Sequence, residues 1–375
     1  MIVGILGGGQ LARMMVLAGT PLGLRFVVLD PAPDACAGQV APQIVAAYDD
    51  RDALLELAGR ADVITFDFEN VPASSARLLA DRLPIFPPPR ALDVAQDRLS
   101  EKQLFASLGI ETAPYVAVDR LDELEHAVVE LRFPSVLKTR RLGYDGKGQR
   151  VLRRPRDVEP AWRELGSAPL ILEGFIPFDG EVSMLAARST TGEQRFYPLT
   201  QNRHSDGILR FSQPAPPPAR WGRPGLPDLE SRARDAAARV LDALDYVGLL
   251  AIEFFVAEGR LIANEMAPRV HNSGHWTQDG AVTCQFENHL RGGLGLPLGE
   301  ASLRGPTAMV NLIGDNPDSA RVLALPGSHL HSYGKAPRPG RKVGHVNVDA
   351  DTWGEVGDRC RQVEALLDAG VVEQP

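Results

Sequence analysis

The stretch MIVGILGGGQLARM, at positions 1–14, places the tightest constraint on how this chain can fold. Ile2–Leu6 is a β-branched apolar run of the kind buried on both faces of a sheet, and it passes straight through Gly7, Gly8 and Gly9 into a helical pattern. A strand that turns through glycines into a helix opens a βαβ unit. The period then recurs. Strands are expected at 2–6, 25–29, 43–47, 62–66 and 84–86, with helices at 10–18, 52–59 and 73–82. This alternation predicts an α/β fold beginning with a Rossmann-like parallel sheet covered on both faces. Pro87, Pro88 and Pro89 continue neither element and mark a boundary near residue 90.

The glycine turn has two readings. Gly7, Gly9 and Ala12 fit the dinucleotide pattern G-x-G-x-x-G/A, and Asp30 ends the next apolar run at the distance of a ribose-binding carboxylate. The same glycines also suit a tight βα turn with no nicotinamide cofactor. The rest of the chain has to decide.

Beyond residue 90 the pattern changes. One helix is expected over 91–109, ended by Gly109, followed by strands at 135–140, 150–152, 170–173, 181–188 and 195–199. A proline-rich loop begins at Pro214. Asp228 then reads as the cap of an amphipathic helix with Leu229, Ala233, Ala237, Val240, Leu241 and Leu244 on one face. A hairpin, GLLAIEFFVAEGRLIANEM, follows, and the region from about 300 has its own strands and a terminal helix at 353–367. The expected domains are 1–90, 91–298 and 299–375.

Bulk properties exclude several classes of function. With 375 residues there is material for two or three domains. A net charge of −8 argues against broad nucleic-acid binding, so a phosphate site needs a local basic cluster. Cys36, Cys284 and Cys360 have no metal-binding or disulfide spacing and suit a reducing cytoplasm. No basic leader precedes the first apolar run, so no signal peptide is expected, and no apolar run is long enough to cross a bilayer.

Several stretches carry chemistry. In the hairpin, a three-residue loop at Ala257, Glu258 and Gly259 would pair 253 with 263 and 251 with 265. Glu253 and Glu265 would then share one face, diagonal to each other. Two neighbouring carboxylates suit either an exposed edge or a Mg²⁺ ion bound with nucleotide phosphates. In SVLKTRRLGYDGKGQ, Lys138 ends a strand, and Gly143, Gly146 and Gly148 make a loop carrying Lys147. Such a loop is either a surface hairpin or a lid whose N–H groups meet a triphosphate. In LILEGF, Glu173 leads into Gly174 at a strand end suited to an adenine amino group or a ribose hydroxyl, and Glu181 follows a turn. The loop PRVHNSGHWT crowds Arg269, His271, Asn272, Ser273 and His275 directly after the carboxylates. YGKAPRPGRKVGH packs Lys335, Arg338, Arg341, Lys342 and His345 into eleven residues, as a solvated face or a phosphate trap.

Taken in order, GGGQLARM, DFENVP, DRLSEKQLF, GYDGKGQ, FYPLTQNRHSDGI, NEMAPRVHNSGHWTQ and RPGRKVGH resemble the N5-carboxyaminoimidazole ribonucleotide synthetase family of the ATP-grasp superfamily. The resemblance implies three domains: a Rossmann-like pre-ATP-grasp domain, an ATP-grasp domain and a small C-terminal domain. It implies carboxylation of 5-aminoimidazole ribonucleotide from ATP and bicarbonate, by way of carboxyphosphate, in a cytoplasmic homodimer. By resemblance, Arg98, Lys138, Gly143–Gln149 (Gly143, Tyr144, Asp145, Gly146, Lys147, Gly148, Gln149), Glu173, Gly174, Phe175, Ile176, Glu181, His204, Asn264 and Glu265 contact ATP. Glu253 and Glu265 match magnesium ligands. Tyr144, Asp145, Lys147, Arg269 and His271 match catalytic positions. Gly8, Gln10, Leu11, Glu69, Asn272, Ser273, His275, Lys335, Arg341 and Lys342 match the ribonucleotide site. The glycine turn would then offer a helix N-terminus to a phosphate. A different ATP-grasp carboxylate–amine ligase, an NAD(P) oxidoreductase and a non-catalytic nucleotide-binding regulator remain as rivals.

Overall fold

A computed structural model describes residues 1–143, 146–166, 168–214 and 226–370. Its first unit holds four parallel strands, β1 (Ile2–Leu6), β2 (Arg25–Asp30), β3 (Gln43–Val45) and β4 (Val63–Phe66), in the order β3-β2-β1-β4. The helices α1 (Gln10–Gly19), α2 (Arg51–Arg60) and α3 (Ala73–Ala80) accompany them. The stretch expected as a fifth strand contributes only an isolated bridge, Ile85 to Ile64. Leu6, Leu29, Ile64 and Phe66 pack with Leu54, Leu57 and Leu79 on one side. Val3, Ile5 and Val28 belong to a second cluster that continues into Leu185, Leu249, Trp276 and Phe286, so the first unit shares its core with the next.

The glycine turn is filled from within. Gly7 adopts φ +107°, a conformation that glycine takes without strain. The N–H of Gly8 donates to Asp30 Oδ2 at 2.7 Å, and the Tyr48 hydroxyl donates to the same oxygen at 2.7 Å. The N–H groups of Gly9 and Ala12 donate to the Asp67 carboxylate at 2.9 and 2.6 Å. The α1 N-terminus that the sequence reading offered to a phosphate therefore already holds an internal carboxylate. Asp30 serves the turn itself, which removes the basis for a ribose contact there.

The expected single helix over 91–109 is two helices, α4 (Pro89–Ala95) and α5 (Arg98–Ser107). Asp97 starts the second, its carboxylate accepting from the N–H groups of Leu99 and Ser100 at 3.0 and 3.4 Å. The strands β5 (Tyr115–Val118), β6 (Ser135–Thr139), β7 (Gln149–Leu152) and β8 (Leu170–Gly174) form an antiparallel sheet in the order β5-β8-β6-β7. Two helices, α6 (Leu121–Leu131) and α7 (Val158–Leu165), share its core.

Among the described residues the third sheet has nine strands. It contains β9 (Gly180–Arg188), β10 (Gln194–Phe196), β11 (Thr200–Ser205), β12 (Ile208–Pro214), β13 (Gly248–Ala257) and β14 (Arg260–Ala267). It continues through β15 (Thr307–Ile313), β16 (Ser328–Ser332) and β17 (Lys342–Asp349). The path runs β14-β13-β9-β11-β12-β15-β17-β16, with β10 beside β9. The last region's strands thus extend the central sheet, while a separate core around Val310, Val346, Val356 and Val363 covers them. Between the strands lie α8 (Leu226–Ala243), α9 (Thr277–Gly280), α10 (Gln285–Gly293) and α11 (Ser319–Leu323), and α12 (Trp353–Gly370) ends the described chain. Since α8 begins at Leu226, Asp228 falls inside its first turn and is not its cap. Pro227 fits there because first-turn N–H groups have no helical partner.

A Cβ added to Gly9 would lie 2.3 Å from Asp67 Oδ2. Gly9→Ala is therefore expected to cost about 1–3 kcal/mol, read as a lower urea midpoint. Gly59→Ala, in the exposed last turn of α2 with open space around it, is expected to leave the midpoint unchanged or raise it.

Candidate active site

The carboxylate hairpin departs from its expected register in two ways that cancel. Ala257 pairs with Arg260, so the loop has two residues, Glu258 and Gly259, at φ +52° and +75°. Two positive φ angles are the signature of a type I′ hairpin turn. An unbroken ladder from that turn would set Glu265 on the face opposite Glu253. A bulge next to Glu253 absorbs Asn264 and brings Glu253 directly across from Glu265.

A pair of residues that the sequence reading passed over grips this bulge. Glu101 and Lys102 lie side by side on α5 and are 2% and 1% exposed. Glu101 Oε1 accepts from the Met266 N–H at 2.6 Å. Lys102 Nζ donates to the carbonyls of Ala263 at 3.3 Å and Asn264 at 2.9 Å. One signal was available: Glu101 lies one turn before Phe105, so the charged residue shares the helix's apolar face. Burial, with Glu265 nearby, pushes the Glu101 carboxyl up to about 8 despite Lys102.

The hairpin opens onto a cleft of about 650 Å³ lined from all three regions of the chain. Gln10, Leu11 and Glu69 come from the first unit. Arg98, Gly143, Lys147, Glu253, Glu265, Arg269, His271 and Asn272 come from the middle, and Lys335, Arg341 and Lys342 from the last region. Burial and the facing Glu265 push the Glu253 carboxyl up to about 7. Arg98 Nη1 reaches Glu265 Oε2 at 3.1 Å, and His271 Nε2 stands 3.7 Å from Glu253 Oε1. Arg269 and Glu69, expected to meet different groups, are ion-paired with each other. Burial alone would raise the Glu69 carboxyl, but Arg269 holds it below its ordinary value. Lys335 donates to the Gln10 side chain, so the C-terminal basic turn touches the glycine-turn helix directly.

The other nucleotide candidates lie beside the cleft. Lys138 Nζ donates to Glu173 Oε2 at 2.9 Å, and Lys102 Nζ is 3.7 Å from the same oxygen. Glu173 Oε1 and Asn264 Oδ1 are buried without a hydrogen-bond partner. Such orphaned acceptors suit the donors of a ligand. Gly174 ends β8, with Phe175 and Ile176 following at the surface. His204 Nδ1 and Glu181 Oε2 lie 2.9 Å apart across β9 and β11. Burial opposes charge on this imidazole, yet the bond to Glu181 holds its pKa above the ordinary value. Gly146 and Gly148, at φ +75° and +71°, carry the glycine loop past Gly207 toward Gln149, the first residue of β7. Tyr144 and Asp145 lie outside the described residues.

Three expected substrate contacts do not line the cleft. Gly8 spends its N–H on Asp30. Ser273 is fully buried and bonded to Ser183 and His271. His275 is 1% exposed among Phe286, Tyr333 and His345, and burial drives its pKa well down, as in a neutral core histidine.

Glu173 ties the stability of the fold to pH. Burial would raise its pKa, but Lys138 and Lys102 lower it from 4.5 to about 2. A lowered carboxyl stabilises the fold fully above its unfolded value, and that contribution fades as pH falls through about 2. Removing one partner of a buried pair costs about 3–5 kcal/mol. Glu173→Gln is expected to lower the urea midpoint at pH 7, with the gap to wild type closing between pH 4.5 and about 2.

Comparison with known proteins agrees with this layout. A ribonucleotide synthetase preATP-grasp domain matches residues 1–96, an ATP-grasp domain 103–286, and a phosphoribosylaminoimidazole carboxylase C-terminal domain 307–359. The chain is 51% identical over 369 residues to N5-carboxyaminoimidazole ribonucleotide synthase of Pseudomonas aeruginosa, covering 98% of this chain and 100% of that one. It is similar to the crystal structure of N5-carboxyaminoimidazole ribonucleotide synthetase from Thermus thermophilus, with TM-score 0.92, 51% identity and coverage of 100% and 99%. The Aspergillus clavatus synthase in complex with ADP and 5-aminoimidazole ribonucleotide is similar at TM-score 0.89 and 29% identity, with 98% of each chain covered. With its fold, its domain matches and its relatives in agreement, the chain belongs to the N5-carboxyaminoimidazole ribonucleotide synthase family of ATP-grasp ligases.

Proposed function

We propose that this chain carboxylates 5-aminoimidazole ribonucleotide with bicarbonate at the expense of ATP, giving the N5-carboxylated ribonucleotide, ADP and phosphate. One observation carries the reading: a single cleft joins the Glu253/Glu265 pair to the basic turn of Lys335, Arg341 and Lys342. Three cations beside the carboxylate pair suit a phosphorylated cosubstrate. Lys138, Glu173, Gly174, Phe175, Ile176, Glu181, His204 and Asn264 are assigned to ATP, with Arg98 beside them. Gln10, Leu11, Glu69, Asn272 and the basic turn are assigned to the ribonucleotide.

Bicarbonate is a poor electrophile because its oxygens leave badly. Attack of a bicarbonate oxygen on the γ-phosphorus forms an O–P bond, breaks the bond to ADP and leaves carboxyphosphate. Lys138 and Arg269 offset the charge on the phosphoryl oxygens. The exocyclic amine then attacks the carboxyl carbon, either of carboxyphosphate or of the CO₂ it releases. Phosphate departs and the amine gives up a proton. Gly143 and Lys147, which line the cleft, would help to keep water from the short-lived anhydride.

Mg²⁺ fits the hairpin by its donor set. Two facing carboxylates, one with its pKa raised by burial and by the other, are an unfavourable pair that a hard cation relieves. Among the described residues no group of three His, Cys, Asp or Glu side chains is placed to hold a metal ion, so phosphates and water would complete the shell. Bound there, the ion would neutralise phosphate charge. All three cysteines are free, which suits the cytoplasmic location read for this chain, and we read it as a homodimer.

Turnover is expected to require both bicarbonate and the ribonucleotide. ADP formation at full rate without the ribonucleotide would overturn the reading. Glu265→Gln is expected to abolish ADP formation at ordinary magnesium with the melting temperature retained, and Glu253→Gln to impair it less. Arg341→Ala is expected to raise the KM for the ribonucleotide by roughly 10- to 100-fold, since hydrogen bonds to charged groups are worth about 1.5–3 kcal/mol. The KM for ATP should stay put. The reverse pattern would place the basic turn at the wrong end of the cleft.

A further inference from the structure

Behind the cleft runs a line of buried polar side chains with no part in the assignments above. The Ser212 hydroxyl donates to Asn202 Oδ1 at 2.8 Å. Asn202 Nδ2 donates to Ser183 Oγ at 3.1 Å, and the Ser183 hydroxyl donates to Ser273 Oγ at 2.7 Å. Ser273 Oγ lies 2.8 Å from His271 Nδ1. Ser183, Ser212 and Ser273 are 0% exposed and Asn202 is 4% exposed. The line therefore crosses β12, β11 and β9 inside the protein and ends at His271, which lines the cleft.

The direction of this line is determined. The backbone N–H of Ser273 also points at His271 Nδ1, at 3.3 Å. An N–H can only donate, so Nδ1 is the unprotonated nitrogen and the imidazole proton sits on Nε2. The Ser273 hydroxyl must then donate to Nδ1, which leaves its oxygen to accept from Ser183. Each hydroxyl along the line donates once, always toward His271. On the far side of the ring, Nε2 stands 3.7 Å from Glu253 Oε1.

We propose that Ser212, Asn202, Ser183 and Ser273 are positioning residues that lock His271 as an Nε2–H donor for an oxyanion oxygen of the reacting group. This rests on the cleft being the active site. It assigns His271 to donation of a hydrogen bond and not to removal of a proton. A buried neutral imidazole with a fixed proton can meet developing negative charge without a reorganisation cost. It also gives Ser273 a role that fits its burial, which direct contact with substrate does not.

The test begins with ¹⁵N NMR of the ligand-free wild-type protein labelled at histidine, with His271 assigned by the signal lost in His271→Gln. A single Nε2–H tautomer is expected. A proton on Nδ1, or a mixture of tautomers, would overturn the proposal whatever the activity of the preparation. Ser273→Ala and Ser183→Ala are then expected to mix the tautomers and to lower kcat roughly tenfold, with the KM for MgATP unchanged. Both variants retaining wild-type kcat and a single Nε2–H tautomer would also overturn it. If the wild type showed no carboxylation, the functional reading would fail, while the NMR result would still decide the tautomer.

Discussion

The ammonium of Lys102 stands where two parts of the site meet. It binds the carbonyls of the bulge that turns Glu265 to face Glu253, and it lies within 3.7 Å of Glu173, the carboxylate paired with Lys138. A buried ammonium carries a large desolvation cost and survives only when its donors are met. Here those partners are two backbone carbonyls and a carboxylate, from β14 and β8. The carboxylate hairpin on the nine-stranded sheet and the strand of Glu173 on the four-stranded sheet are thus tied to one charge. Its neighbour Glu101 holds the next peptide group of β14, so the bulge is gripped from both sides.

The junctions between regions use the same device of buried polar contacts. Thr65 on β4 bonds His289 Nε2 on α10 at 2.8 Å, while His289 Nδ1 accepts from the Leu249 N–H at 3.0 Å. Asn272 and Asn311 exchange amide hydrogen bonds at 3.0 and 2.7 Å, linking the loop after β14 to β15. Each contact has directional partners and little tolerance for slippage, so the three regions dock in one arrangement around the cleft.

Much of the fold was legible because buried parallel strands are continuous apolar runs. β1, β2 and β4 announce themselves in this way. β11 does not: Thr200, Gln201 and Asn202 are buried yet polar, Thr200 accepting from Trp276 Nε1 and Asn202 carrying the line that ends at His271. Asp67 was also hidden, since its partners in the glycine turn are more than fifty positions away in sequence. The facing of Glu253 and Glu265 was foreseen on a wrong premise, a three-residue loop where a two-residue turn and a bulge give the same face. The resemblance drew Ser273 and His275 into the ribonucleotide site because they sit beside Asn272 in sequence. Only burial separates the residue that lines the cleft from those that support it.

The pairing of β12 with β15 makes the last region's strands part of the central sheet. From β13, which carries Glu253, to β17, which begins at Lys342, the ladder takes five strand-to-strand steps, all hydrogen-bonded. The interval between the carboxylate pair and the basic turn that ends at Lys342 is therefore set by ladder geometry. Under the assignments proposed above, the sheet acts as a fixed gauge of a substrate from its phosphate to its reacting nitrogen. A nucleotide too short to bridge that span would hold its phosphate well and still present its amine to empty space.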